Sequence, residues 1–210
     1  MGNRERIIET TLRLMNELGA EAVGTNRIAA ETGVSPGNLY YHFGNREEIV
    51  RALFDALEHE FRDVLQRDTE RPLAPQRIAA FYLRTFDLAW RYRFFFSGTL
   101  GLLRRDPVLA GRYQALQSWA IAELDSIATG IAEDGNLAHP RGAEGIASLA
   151  LNTWLIWSNW IGFLQISGIA EIRRADMTAG INQLFDVIAP YLVPPFEAAI
   201  RRAITDEWAP

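Results

Sequence analysis

The chain has 210 residues, of which 49% are hydrophobic and 22% charged, a balance typical of a folded globular protein and not of a disordered one. It contains no cysteine, which excludes disulfides, thiol catalysis and metal sites built on thiolates. The formal net charge of −5 does not exclude a nucleic-acid partner, because such binding requires a locally basic surface and not a basic chain.

The sequence has few features of a metal site, a membrane segment or a secretion signal. His42, His59 and His139 lie far apart, without the spacing of a helical metal site. The polar N-terminus lacks the regions of a signal peptide, and no run of about 18 apolar residues is uninterrupted. We therefore expect a cytoplasmic protein with no cofactor, no metal and no membrane partner.

The first predicted elements are two helices. Apolar residues at helical spacing predict a helix over residues 4–18, which Gly19 ends. Thr25 can cap a short helix over 26–31, and Gly33 ends it because glycine tolerates the left-handed conformation.

Two more helices follow directly. Ser35 as N-cap and Pro36 in the first turn predict a helix of about two turns, to residue 42 or 43. A longer helix over 45–67 comes next, and Glu48 completes a capping box at its start.

The rest of the chain is also predicted to be helical, because strand alternation between hairpin turns does not occur in the sequence. The remaining helices are expected over residues 76–92, 97–105, 107–133, 141–168, 176–192 and 195–204. The predicted fold is all-α, with an N-terminal three-helix domain over residues 1–48 and a larger helical domain over 49–210.

Residues 25–46 combine a helix, a tight glycine-containing turn and a second helix, which is a helix-turn-helix. Small residues at the start of the second helix let its backbone approach a DNA groove, and the N-terminal end of such a helix meets the base edges. Tyrosine and histidine can donate to phosphate oxygens, and arginine adds a charge-assisted contact. The residues that this pattern presents to DNA are Pro36, Gly37, Asn38, Tyr40, Tyr41, His42 and Arg46.

The string Gly-Val-Ser-Pro-Gly-Asn-Leu-Tyr-Tyr-His-Phe, followed by Arg46-Glu47-Glu48, resembles the DNA-binding domain of TetR-family transcriptional regulators. The resemblance covers about residues 4–60. It implies an all-α homodimer that binds a palindromic operator and senses a small molecule through its C-terminal domain. It places the base-proximal residues at Pro36, Gly37, Asn38 and Tyr40, and the phosphate contacts at Thr25, Tyr41, His42 and Arg46.

Three further residues belong to the predicted DNA-contacting set. Many family members carry arginine or lysine at the position of Asn26, whereas here the arginine follows at Arg27. Ser35 completes the set as the first residue of the recognition segment.

Several of these residues have alternative interpretations. Tyr40 can lie in the core of the three-helix domain as well as on DNA, and Phe43 is expected in the core. His42 can be a solvated residue at a helix end that interacts with the helix dipole. Arg4 and Arg6 can form a solvated face or an arm that reaches phosphate.

The C-terminal domain contains most of the large aromatic residues and is predicted to bind an apolar or aromatic ligand, although the same residues can form an ordinary helical core. No charged residue occurs between Ala147 and Ala170, which favours an uncharged or weakly polar ligand, or an amphiphile whose head group is held elsewhere. The candidate ligand-binding residues are Phe86, Trp90, Tyr113, Gln117, Asn152, Trp154, Trp157 and Ser158.

Helix 141–168 is apolar nearly all round, so several of its sides must be covered. Together with the apolar residues of helix 176–192 it is predicted to form the two-fold interface of a homodimer, a four-helix bundle.

The predicted function is a ligand-responsive repressor that a small effector releases from DNA. An activator, a ligand-independent regulator and a helical carrier without a DNA role are the alternatives. No nucleophile–base pair, phosphate loop or metal spacing occurs in the sequence, so an enzyme is not expected.

Overall fold

The computed structural model describes residues 2–66, 72–138, 140, 145–169 and 171–207. The described residues form ten α-helices and contain no β-strand, only an isolated bridge between Leu137 and Leu192. The helices are α1 (Asn3–Leu18), α2 (Thr25–Thr32), α3 (Pro36–His42), α4 (Arg46–Gln66), α5 (Pro75–Arg91), α6 (Arg93–Arg105), α7 (Pro107–Glu133), α8 (Gly145–Ile166), α9 (Arg174–Ile188) and α10 (Pro194–Glu207). The predicted all-α class is confirmed.

The signals between α2 and α3 act as the sequence predicts, whereas Thr25 does not cap α2. Thr25 is the first residue of that helix, and Gly24 occupies the N-cap position without a side-chain hydrogen bond. Gly33 takes the left-handed conformation (φ 72°, ψ 28°) and ends α2. The Ser35 hydroxyl accepts the backbone N–H of Asn38, so it caps α3, and Pro36 occupies the first turn. Local chemistry therefore fixes the limits of the helix-turn-helix.

The structure differs from the predicted elements between α5 and α6. Only Tyr92 separates these helices, whereas residues 93–96 were not expected to be helical. The three phenylalanines of α6, residues 94–96, are all buried, and the backbone N–H of Phe94 donates to the Asn16 side chain at 3.0 Å. Burial of this aromatic run against α1 extends α6 by a turn.

Two helices of the C-terminal half are shorter than predicted. α8 ends at Ile166, and Gly168 follows in the left-handed region, at φ 82°. The predicted residues 141–144 and 67 lie outside the described part of the chain. α9 ends at Ile188, and a 3₁₀ turn replaces its last predicted residues because Pro190 has no N–H to donate.

The chain divides into two compact units, whose residue ranges differ from those of the predicted domains. Unit 1 contains residues 1–60 and 92–113, and unit 2 contains residues 61–91 and 114–210. Helix α6 and the start of α7 therefore group with the N-terminal helices, and α4 contributes residues to both units. Among the described residues, no helix has the length and hydropathy needed to cross a membrane.

Asp106 is a buried carboxylate that links two helices of unit 1. Its Oδ2 accepts from Nη1 of Arg51 at 2.7 Å, and its Oδ1 accepts the backbone N–H groups of Val108 and Leu109 at 3.0 and 3.2 Å. One side chain thus caps the first turn of α7 and holds an arginine of α4.

We expect Asp106→Ala to lower the free energy of unfolding by about 2 kcal/mol, because it removes a helix cap and leaves Arg51 without this partner. Urea denaturation followed by circular dichroism measures the change. Asp186→Ala is the matched control, since Asp186 is exposed and only pairs with Arg201 at the surface. Its cost should be about 0.5 kcal/mol or less, and equal costs at the two sites would contradict the linking role of Asp106.

Candidate functional site

Helix α3 has one buried side and one solvent-facing side. Leu39 is fully buried in unit 1, and Phe43, directly after the helix, is buried as predicted. Tyr41 is 82% exposed and Tyr40 is 50% exposed, so neither belongs to the core of the three-helix unit. The alternative interpretation of Tyr40 as a core residue is therefore wrong.

The solvent-facing side of α3 is tied to its neighbours by side-chain hydrogen bonds. The hydroxyl oxygens of Thr25 and Tyr40 lie 3.2 Å apart, which links the start of α2 to α3. The Asn3 amide donates to Oδ1 of Asn38 at 3.1 Å. These bonds fix the orientation of two predicted base-proximal residues before any ligand is bound.

The start and the end of α3 differ in chemistry. Pro36 and Gly37 are exposed at its start, and a Cβ added at Gly37 would meet no atom within 4 Å, which leaves the backbone open to a close approach. At its end the rings of Tyr41 and His42 meet edge to face, with their centroids 5.1 Å apart. The start of α3 carries small side chains, which suits a close approach to base edges in a DNA groove. Its end carries two polar aromatic rings, which suit contacts with phosphates.

Helix α2 places Asn26 and Arg27 on the surface. Arg27 forms no ion pair with another described residue, so its guanidinium is available to a phosphate. Ser35, by contrast, uses its hydroxyl to cap α3.

Arg46 has a role inside the protein. Its side chain is 15% exposed, its Nε donates to the carbonyl of Val23 at 2.8 Å, and its Nη2 donates to the carbonyl of Ala20. Its remaining terminal nitrogen lies 3.7 Å from Glu47. The guanidinium is thus occupied by the 3₁₀ turn between α1 and α2, and this geometry does not support the predicted phosphate contact of Arg46.

Arg4 and Arg6 also interact within unit 1. Nη2 of Arg6 donates to the carbonyl of Thr32 at 2.6 Å, where the C-terminal end of α2 leaves that group without a helical partner. The Arg4 guanidinium lies 5.1 Å from the centre of the Phe43 ring. Both interactions favour structural roles over a phosphate-reaching arm.

The acidic residues beside the interface are engaged elsewhere. Glu31 pairs with Arg13 at 3.3 Å. Glu48 accepts the N–H of Gly44 at 2.8 Å, while its own N–H donates to Asn45, which is the predicted capping box in a slightly different register. Glu31 is thus paired with an arginine, and the Glu48 carboxylate is hydrogen-bonded at the start of α4.

None of the predicted ligand-binding residues lines either of the two cavities found among the described residues of unit 2. Phe86 and Trp154 are buried in unit 2, as an ordinary core would have them. The Trp157 indole N–H donates to the carbonyl of Thr85 at 2.9 Å, and the Ser158 hydroxyl donates to the carbonyl of Trp154 at 2.7 Å. Their polar groups are therefore already satisfied.

The remaining predicted ligand residues are dispersed. Asn152 is exposed, and Trp90 and Gln117 are half-buried. Tyr113 belongs to unit 1, where its ring lies 5.9 Å from that of Phe95 and 6.5 Å from that of Phe54.

Two small cavities in the described part of unit 2 are lined by other residues. The main cavity has about 40 Å³ of free volume and takes Ile78, Phe81 and Tyr82 from α5 and Leu124, Ile127, Ala128 and Ile131 from α7. Leu149, Ala150 and Thr153 of α8 and Ile188 of α9 complete its lining. The side cavity, of about 30 Å³, is lined by Val64, Leu65, Leu73 and Arg77 and shares Ile78, Phe81 and Ile127 with the main cavity.

Tyr82 is the most polar group of the main cavity. Its side chain is 4% exposed, and its hydroxyl has no hydrogen-bond partner among the described residues. Burial raises the pKa of the Tyr82 hydroxyl above its usual value, which is already far above neutral pH. Tyr82 is one of the many large aromatic residues of the C-terminal domain, and the sequence does not single it out. Residue type does not show where small residues such as Ala128 and Ala150 leave gaps between helices.

Comparisons with known proteins agree with the helix-turn-helix and extend beyond it. The family of bacterial regulatory proteins named tetR matches residues 7–53, and the TetR family described as a bacterial transcriptional repressor matches residues 56–200. The crystal structure of a TetR-family transcriptional regulator from Marinobacter aquaeolei VT8 is 30% identical, with a TM-score of 0.86 and full coverage of both chains.

Two other proteins are similar over less sequence or by fold alone. The class C tetracycline repressor protein of Escherichia coli is 41% identical over 54 residues, 26% of this chain. The chain thus spans about a quarter of the length of that relative. The structure of a SmeT–triclosan complex is 17% identical with a TM-score of 0.64, and covers 93% of this chain and 94% of that one.

The match over 56–200 covers more than half of the chain, and the Marinobacter structure matches it from end to end. The chain therefore belongs to the TetR family of bacterial transcriptional regulators and, like the members of that family, is a regulator and not an enzyme.

Proposed function

We propose that the protein is a repressor that binds a palindromic DNA operator as a homodimer in the cytoplasm and is released by a small apolar effector. The observation that carries this proposal is the solvent-facing side of α3, where Tyr41 is almost fully exposed beside His42. An exposed tyrosine ring and a half-buried histidine ring, at the end of a helix whose first turn is open at Gly37, are suited to a DNA groove and its phosphates.

The homodimer is supported by the outer side of α8. Leu151, Leu155, Phe163 and Ile166 are all exposed, and Ile166 reaches 90%. Their spacing places them along one side of the helix, which a second copy of the same helix can cover in an isologous interface. Two recognition helices are also needed because one reads too few base pairs for useful specificity.

The predicted contribution of α9 changes in the light of the structure. The interface was predicted from five apolar residues of helix 176–192. Four of them are buried inside unit 2 and Ile188 is half-buried; the four are Ile181, Leu184, Phe185 and Leu192. Only the exposed side of α9, which includes Ala179 and Asn182, is available to contact a partner. We therefore assign the apolar share of the proposed interface to α8.

Effector release is supported by the position of the side cavity. Val64 and Leu65, near the C-terminal end of α4, line this cavity, and Arg46 at the N-terminal end of the same helix holds the turn between α1 and α2. An effector in unit 2 would displace α4 and change the spacing of the recognition helices. The expected coupling free energy between effector and operator is about 1–3 kcal/mol. The fold shared with the SmeT–triclosan complex is compatible with an apolar effector.

The double substitution Tyr41→Ala with His42→Ala should weaken operator binding by about 100-fold or more, since each ring is expected to contact phosphate or base edges in both subunits. Selection from a random DNA pool by the wild-type dimer first supplies the operator as an enriched inverted repeat. Fluorescence anisotropy with that operator then compares the variants.

The control pair is Thr205→Ala with Asp206→Ala, two adjacent exposed residues on α10. It should bind like the wild type, and both proteins should keep their helicity. Unchanged DNA affinity of the α3 variant would overturn the proposed interface, and loss of its helicity would show that the two rings support the fold.

Salt dependence separates Arg27 from the internally bonded arginines. If the dimer neutralises about four to six phosphates, the plot of log affinity against log salt should have a slope of roughly −4 to −5. Arg27→Ala should make this slope shallower by about two, one phosphate in each subunit. Arg84→Ala, an exposed arginine on α5, should leave the slope unchanged, and equal slopes for all three proteins would remove Arg27 from the interface.

Leu155→Arg should convert the dimer to monomers at micromolar concentration, because it places two charges in the centre of the proposed apolar interface. Sedimentation velocity measures the change. Leu100→Arg is the matched control, since Leu100 is 62% exposed on α6. A dimer that survives Leu155→Arg unchanged would contradict the assignment of the interface to α8.

A further inference from the structure

We infer that the effector is an uncharged, largely apolar molecule whose hydrogen-bond-accepting oxygen binds the Tyr82 hydroxyl in the main cavity of unit 2. This inference rests on the proposed function, because it specifies the effector of the same regulator. It also assigns the effector to residues other than those that the sequence indicates.

The lining of the main cavity selects against charge. It contains aliphatic side chains, one phenylalanine and the two hydroxyl-bearing residues Tyr82 and Thr153, and none of its lining residues is ionised at neutral pH. An ion that enters such a lining loses its hydration without gaining a counter-charge. Arg77, which lines the side cavity, already has an interaction partner in the chain and supplies no ready counter-charge for an anion.

The Tyr82 hydroxyl is a buried polar group that still requires a partner. The described residues contain no side-chain polar atom that is both sealed off and unpaired. The Tyr82 oxygen has no hydrogen-bond partner among them, so it must border open space although its side chain is nine-tenths buried or more. Because Tyr82 lines the main cavity, that space is where a ligand atom can reach it.

The Tyr82 hydroxyl is expected to donate this hydrogen bond. A phenol is protonated at neutral pH and is a good donor, and burial raises the pKa of Tyr82 further. A ligand oxygen of the carbonyl or ether class would accept this hydrogen bond from the Tyr82 hydroxyl. A ligand with no such oxygen would leave the hydroxyl unpaired in a dry site, which lowers affinity.

The size of the two cavities requires that they open together. Ligand pockets generally enclose about 300–1,000 Å³, far more than the free volume here. Ile78, Phe81 and Ile127 line both cavities, and Phe81 is half-buried, so displacement of its ring would join them. A ligand that fills the joined space contacts Tyr82 at one end and Leu65 of α4 at the other.

Three probes of similar shape test the inference on the full-length protein. Acetophenone carries the acceptor oxygen, isopropylbenzene lacks it, and benzoate carries a charge. NMR titrations give their dissociation constants. Acetophenone should bind best, and benzoate at least about tenfold more weakly, because its charge loses hydration in the cavity.

Tyr82→Phe removes only the hydroxyl. It should weaken acetophenone binding about fivefold to tenfold and change isopropylbenzene binding less than about twofold. Tyr191→Phe makes the same change at a tyrosine that does not line the cavities and should alter neither affinity. Ala150→Leu fills the main cavity and should weaken both neutral probes, which locates them there.

The outcomes separate this inference from the proposed function. Benzoate binding as tightly as acetophenone, or an unchanged acetophenone affinity in Tyr82→Phe, would overturn the inference even if the protein binds an operator. If the probes behave as expected and the protein enriches no DNA sequence from a random pool, the ligand site stands and the repressor function fails.

Discussion

A helix of 7 residues is too short to be stable in water by itself. The position of the solvent-facing side chains of α3 therefore depends on the contacts that hold this helix against the rest of unit 1. Leu39 is fully buried under the helix and Phe43 is buried at its end. Ser35 caps its first turn, and the contact between Thr25 and Tyr40 ties it to α2. Few residues are needed for this anchoring, and the Tyr41 side chain remains exposed to solvent.

The short helices of unit 1 also determine which groups its arginine side chains bind. Arg46 and Arg6 each donate to backbone carbonyls at the ends of short elements, and Arg51 donates to the buried Asp106. Short helices leave many carbonyls without helical partners, and a guanidinium with several donors can satisfy two of them at once. A net charge of −5 is therefore compatible with DNA binding only if a few exposed groups, Arg27 among them, meet the phosphates.

How far the sequence predicts this structure depends on whether the determinant is local. The limits of α2 and α3 follow from Gly33, Ser35 and Pro36, whose conformations and caps are decided by the residue itself. The extension of α6 was missed because it depends on burial of Phe94 against α1, and these elements are far apart in sequence. The spacing of apolar residues within one helix does not show which distant helix will pack against it.

The ligand site shows the same limit more strongly. Trp157 and Ser158 are of residue types that are common in binding sites, yet their polar groups donate hydrogen bonds to backbone carbonyls within unit 2. A cavity arises where small side chains from different helices face one another, as Ala128 of α7 and Ala150 of α8 do. Residue type predicts which side chains are buried, but the space between them is set by the crossing of helices.

The small volume of the cavities bears directly on the proposed regulation. A ligand shifts a conformational equilibrium only by the difference between its affinities for the two states. These two cavities, of about 40 and 30 Å³, are smaller than the pockets that usually hold a ligand, so an effector that binds there must enlarge them. Displacement of Phe81 would join the two cavities, and Phe81 lines the side cavity together with Leu65 of α4, the helix whose other end carries Arg46. On the proposed function, effector binding and loss of the DNA-binding geometry are therefore two consequences of one change in α4.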